Sequence, residues 1–417
     1  MANLAQVVVP ICTIVVQIDF LIFDKLKIMK ILATRNYLAS SALTVLLCAW
    51  SIGFAKAQLK ENSIPAPTNN NQNQCPCIMP DNSVVFQVKA PNAQKLQIDL
   101  GKKYDMVKDT NCFWTVRTEP VVPGFHYYFL VIDDVPVADP ASQSFYGTGK
   151  MTSAIDIPEE GIDFYTIKNV PHGSTSSRTY YSDVDECWKR LFVYTPPGYE
   201  KNIHLNYPVV YIQHGGGEDE TGWVLQGKTD IILDNLIADG KAKQMIIVMA
   251  NGNVRTGSGG YSSEGMTKFK KEITQNIVPF IDENYRTLAD PKNRAICGLS
   301  MGGGQSFYVG LESLEYFGSV GVFSSGLFGG IRNPSGKVFN AETEIPGLLS
   351  KSDDFNTKLD LFYISCGEQD PRIEFTNKAV DMMKENGLEI ELNSFPGDHE
   401  WQVWRKSLHD FASSVFK

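Results

Sequence analysis

The sequence around Ser300 constrains the fold of this chain more than any other stretch. Gly298, Ser300 and Gly302 form the motif G-x-S-x-G, which is typical of a serine raised on a sharp turn between a strand and a helix. Residues 294–298 are apolar enough for a buried strand, and residues 301–315 have the apolar periodicity of a helix. Glycines on either side of the serine leave room for a strained turn. We therefore predict a nucleophilic Ser300; the alternative is a glycine-rich turn with a bystander serine.

Length and composition limit the classes of protein to consider. A chain of 417 residues is too long for one ordinary domain, and 43% hydrophobic and 20% charged residues describe a soluble globular protein. The net charge of −9 argues against a nucleic-acid surface. Because the sequence has no cluster of cysteines and histidines at metal-ligand spacing, we predict no metal and no cofactor.

The first 57 residues have the features of a leader and signal peptide. Met29 begins a basic stretch, residues 38–54 contain an apolar run, and Ala55-Lys-Ala57 matches an A-x-A cleavage site. We expect cleavage after Ala57 and a secreted or periplasmic protein that is not stably inserted in a membrane. Residues 1–28 reflect either a misassigned start codon or an extended leader or membrane anchor. Export would permit disulfides, but we predict no pairing among the six cysteines that follow the cleavage site.

The rest of the chain divides into a β-rich part and an alternating part. Residues 58–79 have the composition of a polar linker. Short strands separated by turn residues over 80–157 predict a small immunoglobulin-like β-sandwich. Residues 158–189 are expected to form an extended connector. From residue 190 to 417, apolar strands alternate with helices, which predicts a mostly parallel sheet covered on both faces. The predicted fold class is therefore α/β, an α/β-hydrolase domain preceded by a sandwich.

Acyl transfer from a serine also needs a base and an acid that orients it. His399 lies in Pro396-Gly-Asp-His-Glu-Trp401, between the last predicted strand and the last helix, where an α/β-hydrolase carries its base. His409 is the competitor, but its place in that helix suits a surface histidine. Asp370 follows a predicted strand and precedes a helix, so it is the predicted acid. Its alternative role is a helix cap, and Glu368 is the rival acid.

An oxyanion hole needs two N–H donors where negative charge develops. Met301 directly follows the predicted nucleophile and should supply one donor. The second should come from the loop His214-Gly-Gly-Gly217, which ends an early strand and matches the HGGG type. We predict Gly216 as this donor, with Gly217 next; the alternative is an ordinary glycine-rich loop.

Residues 180–417 resemble carbohydrate esterase family 1, which includes feruloyl esterases, acetyl xylan esterases and enterochelin-esterase-like proteins. The resemblance rests on Val193-Tyr-Thr-Pro-Pro-Gly-Tyr199, His214-Gly…Trp223, Ala250-Asn-Gly252, Gly298-Leu-Ser-Met-Gly-Gly303, Cys366-Gly-Glu-Gln-Asp370 and Gly397-Asp-His-Glu-Trp401. It implies a triad of Ser300, His399 and Asp370. One departure is His214-Gly-Gly-Gly, because many relatives carry a bulkier residue after His-Gly. The departure leaves the second oxyanion donor open.

The β-rich segment resembles the early-set modules grouped with carbohydrate-binding module family 48. The matching residues are Phe86, Ala90-Pro-Asn-Ala93, Phe113-Trp114, Pro123-Gly-Phe-His-Tyr-Tyr128 and Ala138-Asp-Pro140. The resemblance implies the fold of this segment. It leaves sugar binding open, because many such modules serve only as packing partners.

Together, the resemblances imply a secreted esterase that releases ferulate or a related hydroxycinnamate. Its partner would be the plant cell-wall polysaccharide arabinoxylan or its feruloylated oligosaccharides. The alternatives are an acetyl xylan esterase, a periplasmic siderophore esterase, and a catalytically silent carbohydrate-binding protein. An aromatic acyl group would stack on aromatic side chains. We therefore predict substrate contacts at Trp223, Tyr261 and Trp401, although such residues are also common in cores.

All the predicted catalytic groups follow residue 210. From the sequence alone, we therefore expect that a folded protein lacking residues 59–155 would still cleave a small soluble ester.

Overall fold

A computed structural model of the chain describes residues 62–256, 262–329 and 338–417. The predicted leader, the cleavage site after Ala57 and the predicted substrate contact Tyr261 lie outside these residues. Residues Ile64–Lys417 belong to one packed unit. Across the described ranges, no helix is both long enough and apolar enough to cross a membrane.

The β-rich part consists of two antiparallel sheets packed face to face. Its strands are β1 (Ile64–Pro65), β2 (Cys77–Ile78), β3 (Val84–Lys89), β4 (Leu96–Asp99), β5 (Lys103–Asp105), β6 (Val107–Lys108), β7 (Phe113–Arg117), β8 (Gly124–Ile132), β9 (Val135–Val137), β10 (Ser144–Gly147) and β11 (Lys150–Ile157). One sheet has the order β1-β2-β3-β7-β6, and the other has the order β10-β11-β8-β4-β5, with β9 paired to β8. Phe86 and Tyr128, one from each sheet, meet in the shared core with ring centroids 4.9 Å apart.

The predicted linker is, from Ile64 onward, part of the sandwich. β1 pairs with β2, and β2 pairs with β3. Ala66 lies in the sandwich core, and the Thr68 hydroxyl donates a hydrogen bond of 2.7 Å to the Ala154 carbonyl. Asn69 and Asn70 likewise donate side-chain hydrogen bonds to the Pro76 and Ser142 carbonyls, whereas residues 71–74 are exposed. Residues 71–74 therefore have the exposure that the polar composition predicts for a linker.

The second part alternates strands with helices around one mixed sheet. Its elements are β12 (Ser174–Ser182), β13 (Cys187–Thr195), β14 (Val209–Gln213), α1 (Gly222–Leu225), α2 (Thr229–Ala238), β15 (Ile246–Ala250), α3 (Ser263–Lys271), α4 (Val278–Asn284), β16 (Arg294–Leu299), α5 (Met301–Leu311), β17 (Ser319–Phe323), α6 (Ala341–Glu344), α7 (Ser352–Lys358), β18 (Leu361–Gly367), α8 (Ile373–Glu385), β19 (Glu391–Phe395) and α9 (Trp401–Ser414). A π-helical turn, Glu272–Ile277, joins α3 to α4. The strand order is β12-β13-β15-β14-β16-β17-β18-β19, and the strands from β15 onward along this order are parallel.

The central strands β14, β15 and β16 are buried along their whole length. Burial on both faces explains their continuous apolar sequences, because helices cover each side of the sheet. β16 covers the strand predicted at residues 294–298 and ends one residue later, at Leu299. The carboxyl ends of the parallel strands therefore lie at one edge, where the loops that follow them meet.

One part of the predicted connector belongs to the sheet. β12 lies inside residues 158–189 and pairs along its length with β13, to which it is antiparallel. It is an edge strand that buries few side chains, among them Tyr180 and Ser182. Its Ser/Thr-rich sequence therefore gives a weak strand pattern. Residues 158–173 of the connector contain no strand or helix, and its last three residues belong to β13.

Candidate active site

Ser300 lies on the turn between β16 and α5. Its backbone angles are φ 51° and ψ −110°, a strained conformation for a residue with a side chain. A hydrogen bond of 2.8 Å from its amide to the Phe323 carbonyl fixes this turn to the neighbouring strand. A Cβ atom on Gly302 would lie 2.6 Å from the carbonyl oxygens of Gln213 and His214. Only glycine fits there, which accounts for the second glycine of the motif.

The structure brings Ser300, His399 and Asp370 together in one hydrogen-bonded chain. His399 Nε2 lies 2.9 Å from Ser300 Oγ, and His399 Nδ1 lies 2.7 Å from Asp370 Oδ2. The ring of Trp404 contacts the His399 ring edge-on, with centroids 5.0 Å apart. Because an ionised carboxylate only accepts, Nδ1 carries the proton and Nε2 can accept from the serine hydroxyl.

Asp370 is held in the charged state that this arrangement requires. The side chain is buried, and its Oδ1 accepts hydrogen bonds from the Arg372 amide (3.0 Å) and from Arg372 Nη1 (2.9 Å). Burial alone would raise the pKa of Asp370, but the hydrogen bonds to His399 and Arg372 hold that pKa below its ordinary value. The role of Arg372 cannot be predicted from the sequence, because an arginine at a helix start has no distinctive pattern.

The two rival residues lie elsewhere. Glu368 is exposed, although it is only two residues from Asp370. His409 packs against Phe164, with ring centroids 4.4 Å apart, and burial lowers the pKa of this histidine. The geometry therefore favours Asp370 and His399 as the acid and base, as predicted from their positions after the strands.

The glycine-rich loop lies beside the serine. A Cβ atom built on Gly215 would be 3.6 Å from Ser300 Cβ. The Gly215 amide donates to Glu218 Oε2 at 3.0 Å, so it is not available to a substrate. Gly216 and Gly217 are exposed, and Met301 is the first residue of α5, where an amide has no acceptor within the helix. This placement leaves Met301 with Gly216 or Gly217 as the candidate oxyanion donors.

His214 supports the same loop through a hydrogen bond to its backbone. The Gly252 amide donates to His214 Nε2 at 3.0 Å, so the proton lies on Nδ1, which donates to the Gly215 carbonyl at 2.8 Å. Because Nε2 accepts a hydrogen bond, the ring is neutral, and burial lowers the pKa of His214 in the same sense. This histidine is a structural support for the loop and not a second base.

The predicted aromatic contacts turn out differently. Trp223 is 1% exposed, and its indole N–H donates to the Gln213 carbonyl at 2.8 Å. It has no surface for an acyl group and packs in the core instead. Trp401 is 2% exposed, and its ring contacts that of Trp223 edge-on, with centroids 5.2 Å apart. Only a small part of its surface lines a neighbouring cavity. Aromatic residue types alone could not distinguish core from pocket.

A cavity of about 420 Å³ opens next to His399. His399 and Trp404 line one side of it, and Phe125, Tyr127 and Phe129 of β8 line the other. This cavity cannot be predicted from the sequence, because its two walls come from the two parts of the chain. Within the described residues, no group of histidine, cysteine, aspartate and glutamate side chains could hold a metal ion.

Comparison with known proteins identifies the family. Residues 182–413 match the Esterase family model, which is described as "Putative esterase". The chain belongs to this family. Membership makes carboxylic-ester hydrolysis the chemistry of the domain that contains Ser300, His399 and Asp370.

The related sequences include xylan-degrading enzymes. The chain is 36% identical over 372 residues to an endo-1,4-beta-xylanase/feruloyl esterase of Xylanibacter ruminicola, an alignment that covers 86% of this chain and 48% of the relative. It is 32% identical over 197 residues to endo-1,4-beta-xylanase Y of Acetivibrio thermocellus, covering 45% of this chain and 17% of that protein. The chain thus spans about half the length of the first relative and much less of the second.

Solved structures share the fold. The CE1 ferulic acid esterase of the anaerobic fungus Anaeromyces mucronatus is 28% identical, with a TM-score of 0.51 over 61% of this chain and 96% of its own. The enterochelin esterase of Shigella flexneri is 15% identical, with a TM-score of 0.59 over 80% of this chain and 92% of its own. These neighbours confirm the predicted α/β-hydrolase class and the resemblance to carbohydrate esterase family 1. The carbohydrate-binding resemblance of the sandwich stays a prediction.

Proposed function

We propose that this chain is a serine esterase that hydrolyses feruloyl and related hydroxycinnamoyl esters on plant arabinoxylan. The observation that carries the proposal is the hydrogen-bonded chain of Ser300, His399 and Asp370. Relatives and structural neighbours that are named feruloyl or ferulic acid esterases support the choice of acyl group. The predicted signal peptide supports a secreted or periplasmic enzyme, because the polymer lies outside the cell.

The geometry suits a two-step acyl transfer. Ser300 Oγ attacks the ester carbonyl while His399 Nε2 accepts the hydroxyl proton, and Asp370 stabilises the resulting imidazolium. The amides of Met301 and Gly216 would stabilise the oxyanion. His399 then returns the proton to the departing sugar oxygen, which leaves a feruloyl ester on Ser300. In the second step, water attacks this ester while His399 takes its proton, and His399 then gives that proton to Ser300 Oγ as the acyl–oxygen bond breaks, which releases ferulate and restores free Ser300.

The cavity beside His399 supports a large substrate over a small one. Phe125, Phe129 and Trp404 give it aromatic walls, and its volume of about 420 Å³ exceeds what an acetyl group needs. Aromatic side chains pack well against an aromatic acyl group or a sugar ring. An acetyl xylan esterase is therefore the weaker alternative.

A second candidate is a siderophore esterase that cleaves a triscatecholate ester. The observation that favours it is the fold shared with the Shigella flexneri enterochelin esterase over 80% of this chain, which is more than the α/β part alone. A catalytically silent carbohydrate-binding protein is disfavoured by the complete triad geometry.

Two measurements test these proposals. Turnover compared on methyl ferulate, acetylated xylan and a triscatecholate ester should give the highest kcat/KM on methyl ferulate. A preference for the triscatecholate ester would instead support the siderophore function. A fluorophosphonate should label Ser300 in the wild-type protein; absence of labelling in folded protein would support the silent scaffold.

A further inference from the structure

Glu218 is a buried carboxyl group at the end of the glycine-rich loop. Only 5% of the residue is exposed. Its Oε2 accepts the hydrogen bond from the Gly215 amide at 3.0 Å. Its Oε1 accepts from the Tyr127 hydroxyl at 3.1 Å and from the Trp401 indole N–H at 3.1 Å. One side chain therefore joins the loop, a sandwich strand and the last helix.

The contacts of Gly215 set the direction of the next amide. The Gly215 carbonyl accepts from His214 Nδ1 at 2.8 Å, while the Gly215 amide is held by Glu218. The peptide that joins Gly215 to Gly216 is planar, with its C=O and N–H on opposite sides. Glu218 therefore holds the amide end of Gly215 and His214 holds its carbonyl end, and together they set the direction of the Gly216 amide, one of the candidate oxyanion donors.

The sandwich reaches this loop at two points. Tyr127 of β8 donates to Glu218, and its hydroxyl oxygen accepts from Gln226 Nε2 at 3.0 Å. Gly149, in the turn between β10 and β11, donates its amide to the Gly217 carbonyl at 2.8 Å. The loop is thus held between the two parts of the chain.

We propose that Glu218 is a positioning residue that orients the backbone amides of the glycine-rich loop, His214-Gly-Gly-Gly217. Through its hydrogen bond to Glu218, Tyr127 of the sandwich helps to hold this loop in the orientation that catalysis needs. The inference rests on the proposed serine-esterase function. Neither residue contacts the reacting atoms; each acts through the direction of the loop amides.

The chemistry of the partners explains why a carboxylate occupies this place. All three groups that face Glu218 are donors, and the carboxyl group can accept from each of them once it is ionised, above pH about 7. Burial, with the nearby charge of Asp219 as a smaller cause, raises the pKa of Glu218 to about 7. A glutamine of the same shape would offer one oxygen acceptor and turn an NH₂ group toward other donors. Glu218→Gln therefore replaces one acceptor oxygen by a donor group with almost no change in side-chain volume.

The test compares kcat and KM of the full chain on methyl ferulate. Glu218→Gln and Tyr127→Phe should each lower kcat about tenfold or more and leave KM within about twofold, because only transition-state stabilisation is lost. Tyr128→Phe is the matched control: it removes a buried hydroxyl bonded to Asp139 at 2.9 Å, within the sandwich and away from the loop. This control should keep kcat near the wild-type value.

A double-mutant cycle separates positioning from general damage to the fold. The effects of Glu218→Gln and Tyr127→Phe on kcat should not multiply, because both break one contact, whereas those of Glu218→Gln and Tyr128→Phe should multiply. Two results would each overturn the inference. One is a Tyr127→Phe variant that keeps the wild-type kcat or loses no more kcat than Tyr128→Phe. The other is that the effects of Glu218→Gln and Tyr127→Phe on kcat multiply. Failure of the proposed function would look different, because the wild-type protein itself would then show neither turnover nor fluorophosphonate labelling.

Discussion

Asp156, in the last strand of the sandwich, and Arg405, in the last helix, form a buried two-pronged ion pair. Arg405 Nη1 lies 3.0 Å from Asp156 Oδ1, and Nη2 lies 3.2 Å from Oδ2. Lys228 Nζ lies 2.7 Å from the same carboxylate. Burial alone would raise the pKa of Asp156, but the two cations hold it below its ordinary value. The sandwich and the α/β domain therefore share a desolvated polar contact as well as apolar packing.

Asp156→Ala should destabilise the protein strongly. Removing one partner of a buried ion pair typically costs about 3–5 kcal/mol, because the remaining charge is left without compensation. Asp134→Ala is a suitable control, since its ion pair with Lys95 is exposed and such pairs contribute roughly 0–1 kcal/mol. Denaturant unfolding of both variants measures the difference. Equal losses in the two variants would show that the buried contact adds nothing.

Deletion of residues 59–155 should abolish hydrolysis even of small soluble esters. The sequence predicted the opposite, because the catalytic candidates follow residue 210. The structure shows that the deletion removes Tyr127 and the strands that hold Asp156, and leaves Arg405 buried without its anchored partner. We expect an insoluble or poorly folded product. A soluble truncation with a cooperative melting transition and wild-type turnover of methyl ferulate would contradict this expectation.

Asp370→Asn should lower kcat by roughly ten-thousand-fold, by analogy with serine proteases, because the amide would hold His399 in the wrong tautomer. Glu368→Gln is the natural comparison, since Glu368 is exposed and two residues away on the same loop. It should retain turnover close to that of the wild type. Steady-state kinetics on both purified variants measures this difference in kcat. A larger loss of kcat in Glu368→Gln than in Asp370→Asn would show that Asp370 is not the acid, while the roles of Ser300 and His399 would be unaffected.

The sequence predicted those residues of the site whose positions follow from the local succession of strands, turns and helices. Ser300 lies in a motif with its own backbone requirement, and His399 and Asp370 each follow a strand at the carboxyl edge of the sheet. The structure places these three within hydrogen-bonding distance. Continuous apolar strands likewise indicated the central sheet, because burial on both faces leaves a strong pattern.

The sequence could not predict contacts between distant segments. Tyr127 and Glu218 are 91 residues apart and meet only because the sandwich packs on the α/β domain. Trp223 and Trp401 have the composition of pocket residues but are buried, since aromatic side chains suit a core equally well. The predicted connector includes β12, because an edge strand that buries few of its side chains has a weak strand pattern.

The pH dependence of stability should differ between the wild-type protein and Glu218→Gln. Burial raises the pKa of Glu218 to about 7 in the folded protein, against an ordinary value of 4.5, so folding takes up a proton over this range. Wild-type stability due to this group therefore falls as pH rises from about 4.5 to about 7, and is level above that. Between pH 5 and pH 8, wild-type stability relative to the variant should fall by about 2–3 kcal/mol.

Denaturant unfolding at pH 5 and pH 8 measures that difference directly. Glu368→Gln, at an exposed position, controls for the exchange of a carboxyl for an amide. A difference between the wild type and Glu218→Gln that is the same at both pH values would show that Glu218 is not a perturbed, buried acid.

The central claim is that Ser300 is the nucleophile of an esterase, and kcat of Ser300→Ala on methyl ferulate tests it most directly. Loss of a triad nucleophile typically costs on the order of a million-fold in kcat. The serine lies at a turn where its hydroxyl contributes little packing, so the variant should keep the wild-type melting temperature. We predict a folded protein with no measurable turnover; a folded variant that retains more than about a tenth of wild-type kcat would contradict the claim.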